Sequence, residues 1–120
     1  MSNEIGEFLL ILMHSSTNTQ ILHRQSRSFS EHMALGAYYE AIIPLVDTLT
    51  EAIQGLQEKI IDYPSDYYSP AATGLEELQS LKDYVKEERN ELPQETEIQN
   101  LIDEIAQLID GTLYKLRFLK

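Results

Sequence analysis

Residues 23–51 read HRQSRSFSEHMALGAYYEAIIPLVDTLTE, and this stretch decides the fold. Its first part carries three serines and two arginines around residue 26, a polar break between two segments whose apolar residues recur at helical spacing. Ser28 followed three residues later by Glu31 is a capping-box pattern and predicts a helix start at Phe29. From there Leu35, Tyr38, Ile42, Leu45, Leu49, Ala52, Ile53, Leu56 and Ile60 form one apolar stripe, so the second helix is expected over 29–61. Pro44 interrupts its hydrogen-bond ladder, and a bend is expected there.

The same stretch carries the chemistry. His23 and His32 are imidazoles flanking the turn, and Asp47 and Glu51 lie four residues apart on one helical face. Imidazole with carboxylate is a plausible ligand set for a first-row divalent metal. One straight helix cannot close it, because His32 and Asp47 are roughly 22 Å apart along the axis and about 60° apart around it. A two-fold axis setting two such helices antiparallel would bring His32 of one chain beside Asp47 and Glu51 of another, so an isologous homodimer with shared sites is expected. The competing reading makes the histidines helix-end residues satisfied by the local turn, and the carboxylates part of a solvated acidic face.

The order His, His, Asp-x-x-x-Glu across the end of a first helix and the length of a second resembles the mini-ferritins, the DNA-binding proteins from starved cells. Spacing from His32 through Asp47 to Glu51 follows that pattern, whereas His23 lies three residues nearer to His32, implying a tighter connection. The wording SFSEHMALGAYYEAI and LVDTLTEAIQG is similar to an uncharacterised, phage-encoded ferritin-like branch. The resemblance implies an all-α, antiparallel four-helix bundle of ferritin-like type. It also implies iron (Fe2+/Fe3+) held by His23, His32, Asp47 and Glu51 across a dimer interface, with Fe(II) oxidation and storage as the activity. A ferritin-like bundle without the chemistry, serving as a structural or interaction protein such as a phage accessory or assembly factor, is the alternative. The Glu-x-x-His pairs of intrachain di-iron bundles are missing, since Ile11, Gln20 and Phe29 stand three residues before His14, His23 and His32.

Composition narrows the classes. A chain of 120 residues with 42% apolar residues suits one globular domain over 1–120. Without cysteine there is no disulfide or thiolate chemistry. Nine basic and twenty acidic residues give a net charge of −11, which repels phosphate backbones and attracts cations. No nucleic-acid partner is expected. The longest apolar run, 8–13, is too short to span a bilayer, so no membrane partner and a cytoplasmic location are expected. Phosphate loops, Gly-x-Ser-x-Gly elbows and His-Glu-x-x-His pairs do not occur.

The remaining elements follow from periodicity. A first helix over 3–25 carries Ile5, Phe8, Leu9, Leu12, Thr19 and Leu22 on its apolar face, with His23 projecting with that stripe and His14 off it, without an evident role. Two prolines and three tyrosines mark 62–74 as a long connection that runs along the bundle or caps its end. A weaker third helix around Leu75, Leu78, Leu81 and Val85 ends at Asn90–Pro93. The fourth, over 94–118, has the clearest apolar repeat. Glu76, Glu77, Asp83, Glu87, Asp103, Glu104 and Asp110 read as solvated faces, and the helices are expected to run up-down-up-down apart from the longer connection at 62–74.

Overall fold

The computed structural model describes residues 2–120; the expected domain limits also include Met1, which lies outside the described residues. Four helices form, α1 (Ser2–Gln25), α2 (Phe29–Gln57), α3 (Gly74–Glu88) and α4 (Thr96–Phe118), with a short 3₁₀ turn at Arg89–Glu91. No strand occurs among the described residues. The helical bundle is elongated, 45 × 28 × 22 Å.

The start of α2 is set as the serines predict. Ser28 is extended, and its Oγ accepts from the Glu31 N–H. The reciprocal half of the capping box is rewired: the Ser28 N–H goes to Ser26 Oγ at 3.1 Å, and Ser26 Oγ donates to the Glu31 carboxylate at 2.5 Å. Helix α2 is one unbroken element through Pro44, whose position on the exposed face leaves the orphaned carbonyl one turn earlier to solvent.

The far end of α2 departs from expectation. It stops at Gln57, where Glu58 takes a left-handed conformation and donates its N–H to the Gln54 carbonyl, a C-terminal cap that normally favours glycine. The chain then turns inward: Ile61 is buried and its N–H is accepted by Gln54 Oε1. Leu56 and Ile60, expected in the apolar stripe, are consequently exposed.

Helix α1 packs on α2 and α3, and α4 packs on the same two. A three-residue turn makes α1 and α2 antiparallel, with Ser16 Oγ donating to the Tyr39 carbonyl and His23 lying opposite His32. Phe8 stacks on Tyr84 while Asn18 reaches Glu77, so α1 and α3 are antiparallel too. The Lys82–Asp110 and Arg89–Asp103 pairs set α3 against α4 in the same sense. Helices α2 and α3 therefore run in one direction, and the departure from up-down-up-down falls at the long connection, giving a topology with one crossover. The reason lies in 58–73, which is laid along α1 instead of forming a hairpin. A Cβ on Gly6 would strike the Asp62 carbonyl, the Tyr68 N–H donates to His14 Nδ1 at 3.2 Å, and Asn18 Nδ2 donates to the Tyr68 carbonyl at 2.9 Å.

Leucine and isoleucine dominate the core, with Phe8, Leu12, Leu35, Leu49, Leu78, Ile98, Ile102 and Ile105 fully buried. Polar groups enter it mostly on the α1–α2 side; on α4 the buried Thr112 hydroxyl donates to its own helix at the Leu108 carbonyl. Ser15, Asn18 and Thr19 are buried, and the Tyr38 hydroxyl shares a 2.8 Å hydrogen bond with Ser15 Oγ. Burial raises the Tyr38 phenol above the ordinary range, the Ser15 bond opposes this, and the Glu77 carboxylate adds to it.

Candidate functional site

His23 and His32 meet at the turn end of the α1–α2 hairpin as a reciprocal clasp. His23 Nδ1 donates to the His32 carbonyl at 2.6 Å, and His32 Nδ1 donates to the His23 carbonyl at 2.8 Å. A carbonyl only accepts, so both rings carry a proton on Nδ1. The rings stack with centroids 3.6 Å apart and planes at 17°. Tyr39 sets its ring edge against His23 at 5.3 Å and 75°. Gly36 makes the room: a Cβ there would lie 3.0 Å from His23 Cε1, closer than ordinary packing tolerates.

Each ring is thus fixed through Nδ1 and open at Nε2. Neither Nε2 has a hydrogen-bond partner, and Tyr84 Oη is the one buried side-chain polar atom without a partner among the described residues, so both Nε2 atoms reach solvent. In a neutral ring that atom keeps its lone pair. A histidine held by one nitrogen on a carbonyl, with the other free, is the usual preparation of a metal ligand.

Asp47 and Glu51 lie on the solvent face of α2, both exposed. Neither has an ion-pair or hydrogen-bond partner among the described residues, although nearby Thr48 and Thr50 hydroxyls are tied to the helix's own carbonyls. The histidines are together and the carboxylates are together, but the two pairs are separated by the length of α2 between residues 32 and 47. Among the described residues of one chain, no group of three or more His, Asp or Glu side chains is placed to hold a metal ion.

The chain belongs to DUF5856, a family of unknown function. The match covers residues 23–116, from the first clasp histidine to the last turns of α4. No curated protein and no solved structure matches the chain. The DUF5856 region contains the whole histidine and carboxylate set, the crossover connection and both hairpin turns.

Two polar centres escape sequence reading. His14, for which no role was expected, accepts from the Tyr68 N–H and sits between the rings of Tyr67 and Tyr68, at 5.8 and 5.5 Å. It anchors the crossover segment to α1. Glu77, expected on a solvated face, accepts from the Ala71 N–H through one oxygen and from Asn18 through the other. The signal for both was the polar run from His14 to Thr19 inside an apolar helix, which demands partners wherever it is covered. Tyr68 completes this seam by donating to Glu7 at 3.1 Å; burial and then the Glu7 carboxylate push its phenol up to about 12.

Proposed function

We propose that this DUF5856 protein is a mini-ferritin-like iron-binding protein whose site is completed across a homodimer interface by His23 and His32 of one chain and Asp47 and Glu51 of another. The observation that carries the reading is the histidine clasp, with both Nδ1 atoms committed to carbonyls and both Nε2 atoms free. A single long crossover in an otherwise antiparallel bundle is the connectivity of ferritin-like folds, which supports the ferritin-like assignment.

The donor set fits iron. Two imidazole nitrogens suit Fe(II), and two carboxylates without protein partners bring the negative charge that favours Fe(III). Iron is the substrate here, giving its electron to oxygen or peroxide. Within one chain the roughly 22 Å between His32 and Asp47 leaves each half-site incomplete. A two-fold axis crossing α2 midway, near Tyr39–Ile43, pairs each histidine clasp with the partner's carboxylates, and the half-exposed Ile43 supplies apolar contact there. The net charge of −11 favours cations over duplex DNA as partners.

A second reading is a helical structural or interaction protein without metal chemistry, in which the histidines close the hairpin turn and the exposed Asp47 and Glu51 belong to a solvated acidic face. Anaerobic Fe(II) titration followed by sedimentation separates the two. The proposal expects two ions per dimer and dimerisation strengthened by metal, since ligation from both partners stabilises only the associated state. A chain that binds no Fe(II), or binds it as a monomer with full affinity, supports the second reading instead.

A further inference from the structure

Helices α3 and α4 are tied by two ion pairs in matching register. Lys82 meets Asp110 at 3.4 Å and Arg89 meets Asp103 at 2.6 Å, so the same number of residues separates the pairs on each antiparallel helix, and they stand roughly 10 Å apart along the axes. Midway between them α4 presents Ala106, whose single methyl leaves space across from Val85. The result is a slot of about 170 Å³ floored by Val85, Ala106 and Ile109, of which Val85 and Ile109 are buried. An apolar cavity of similar size, ~150 Å³, takes up benzene. Helices α2 and α3 each pack on α1 and α4 and so occupy opposite corners of the bundle. Neither the histidine clasp nor the α2 face assigned to the homodimer covers this slot.

The rim is cationic. Lys82, Lys86 and Arg89 border the slot, and Asp110 is the one carboxylate in its lining. Their commitments differ. Lys82 is held by Asp110, while Arg89 gives Nη2 to Asp103 and the Gln99 carbonyl, and Nε to the Gln99 side chain. Lys86 lies one turn past Lys82 on the same face of α3, and no printed hydrogen bond or ion pair engages it among the described residues. Asp83 and Glu87 each follow a lysine and are turned about 100° around the helix from it, outside the slot's lining; Asp83 accepts from Gln79 instead.

We propose that the slot binds a short apolar carboxylate, a free acid of about the size of hexanoate, with its hydrocarbon on Val85, Ala106 and Ile109 and its carboxylate on the Lys86 ammonium. Shape and charge both select this occupant. The two ion pairs close the slot at its ends, so a peptide segment or a helix cannot lie through it. The apolar floor disfavours a small hydrated anion, which would lose water there without return. An apolar cation would face three like charges, and a neutral molecule would leave Lys86 without a partner. The net charge of −11 acts weakly at this point, because charges beyond about 8 Å are screened at physiological salt. The lining groups and their ion-pair partners, three cations against Asp103 and Asp110, leave one positive charge in excess.

The test is methyl NMR of the full-length chain titrated with hexanoate, hexanol and hexylamine at fixed ionic strength. Hexanoate is expected to shift the Val85, Ala106 and Ile109 methyls saturably, with a dissociation constant on the order of millimolar for so small a ligand. Hexanol should bind there at least about threefold more weakly, the loss of one partly exposed charge contact, and hexylamine more weakly still. Lys86→Glu lowers hexanoate affinity at least about threefold and leaves hexanol affinity unchanged, which separates the charge contact from the apolar one. Ala106→Leu fills the slot and removes binding of both, with helical circular dichroism unchanged in each variant. No saturable shift at these methyls, hexanol or hexylamine binding as tightly as hexanoate, or unaltered hexanoate binding in Lys86→Glu overturns the proposal. So does a wild-type dimer that Ala106→Leu dissociates, since a second copy then fills the slot.

Discussion

The two hairpins of this bundle use their buried positions differently. The α1–α2 hairpin buries Ser15, Asn18, Thr19 and the Tyr38 hydroxyl and closes on two stacked histidines. The α3–α4 hairpin buries Leu78, Leu81, Val85, Ile98, Ile102, Ile105 and Ile109; its ion pairs are exposed or half-exposed on the rim, and its buried Thr112 hydroxyl bonds only within α4. Both hairpins supply apolar packing, the first through Phe8, Leu9, Leu12, Leu35, Ile42, Leu49 and Ile53, and the first also carries hydrogen bonds between its buried polar side chains. This difference places candidate chemistry on the first.

The largest effect is expected where packing is purely apolar. Ile105→Ala removes a fully buried side chain from α4 and should cost about 2–5 kcal/mol in urea denaturation, leaving Fe(II) affinity per folded chain intact; a loss under about 1 kcal/mol would break the comparison. Tyr38→Phe is the counterpart on the polar side. Ser15 Oγ keeps its bond to the Leu12 carbonyl, so the expected cost is about 1 kcal/mol.

Alkaline pH sharpens the same contrast. Burial raises Tyr38 and Tyr84 above their unfolded value, and burial with the Glu7 carboxylate raises Tyr68 to about 12. The folded chain thus holds these protons more firmly than the unfolded one. Their stabilising contribution is present below about pH 10, the unfolded tyrosine value, and is lost as pH rises from there through the folded values. Denaturation midpoints measured from pH 9 upward should fall, and Tyr38→Phe should flatten the fall. The smallest effect belongs to the rim of the second hairpin: Lys82→Ala breaks an exposed pair with Asp110 at 3.4 Å and should change stability by less than about 0.5 kcal/mol.

The helices were legible because their apolar residues repeat at helical spacing, and the start of α2 because Ser28 is a cap that accepts an N–H three residues on. The end of α2 was not, since Ile60 and Ile61 continue the apolar pattern while Glu58 adopts a left-handed turn without being glycine. The path of 58–73 was beyond local reading as well. Its direction is fixed by contacts distant in sequence, the clearance over Gly6 and the bonds to His14 and Asn18, none of which leaves a periodic trace. At the candidate site, the approach of His23 and His32 followed from a short turn between two helices. Their mutual hydrogen bonds to backbone carbonyls did not, because they depend on ring orientation and on the space Gly36 leaves.

The shared iron site is tested most directly by complementation. His32→Ala retains both carboxylates and Asp47→Ala retains both histidines, so each homodimer has two broken sites, whereas a heterodimer has one intact site. Anaerobic Fe(II) binding and oxygen-dependent oxidation should each be measured for both variants and for the two refolded together in equal amounts. The account predicts that each variant alone loses most Fe(II) affinity and that the mixture recovers about a quarter of wild-type capacity, the fraction of intact sites under random pairing of two-fold dimers. Loss in both variants with no recovery on mixing, or a wild type that binds no Fe(II), would contradict it.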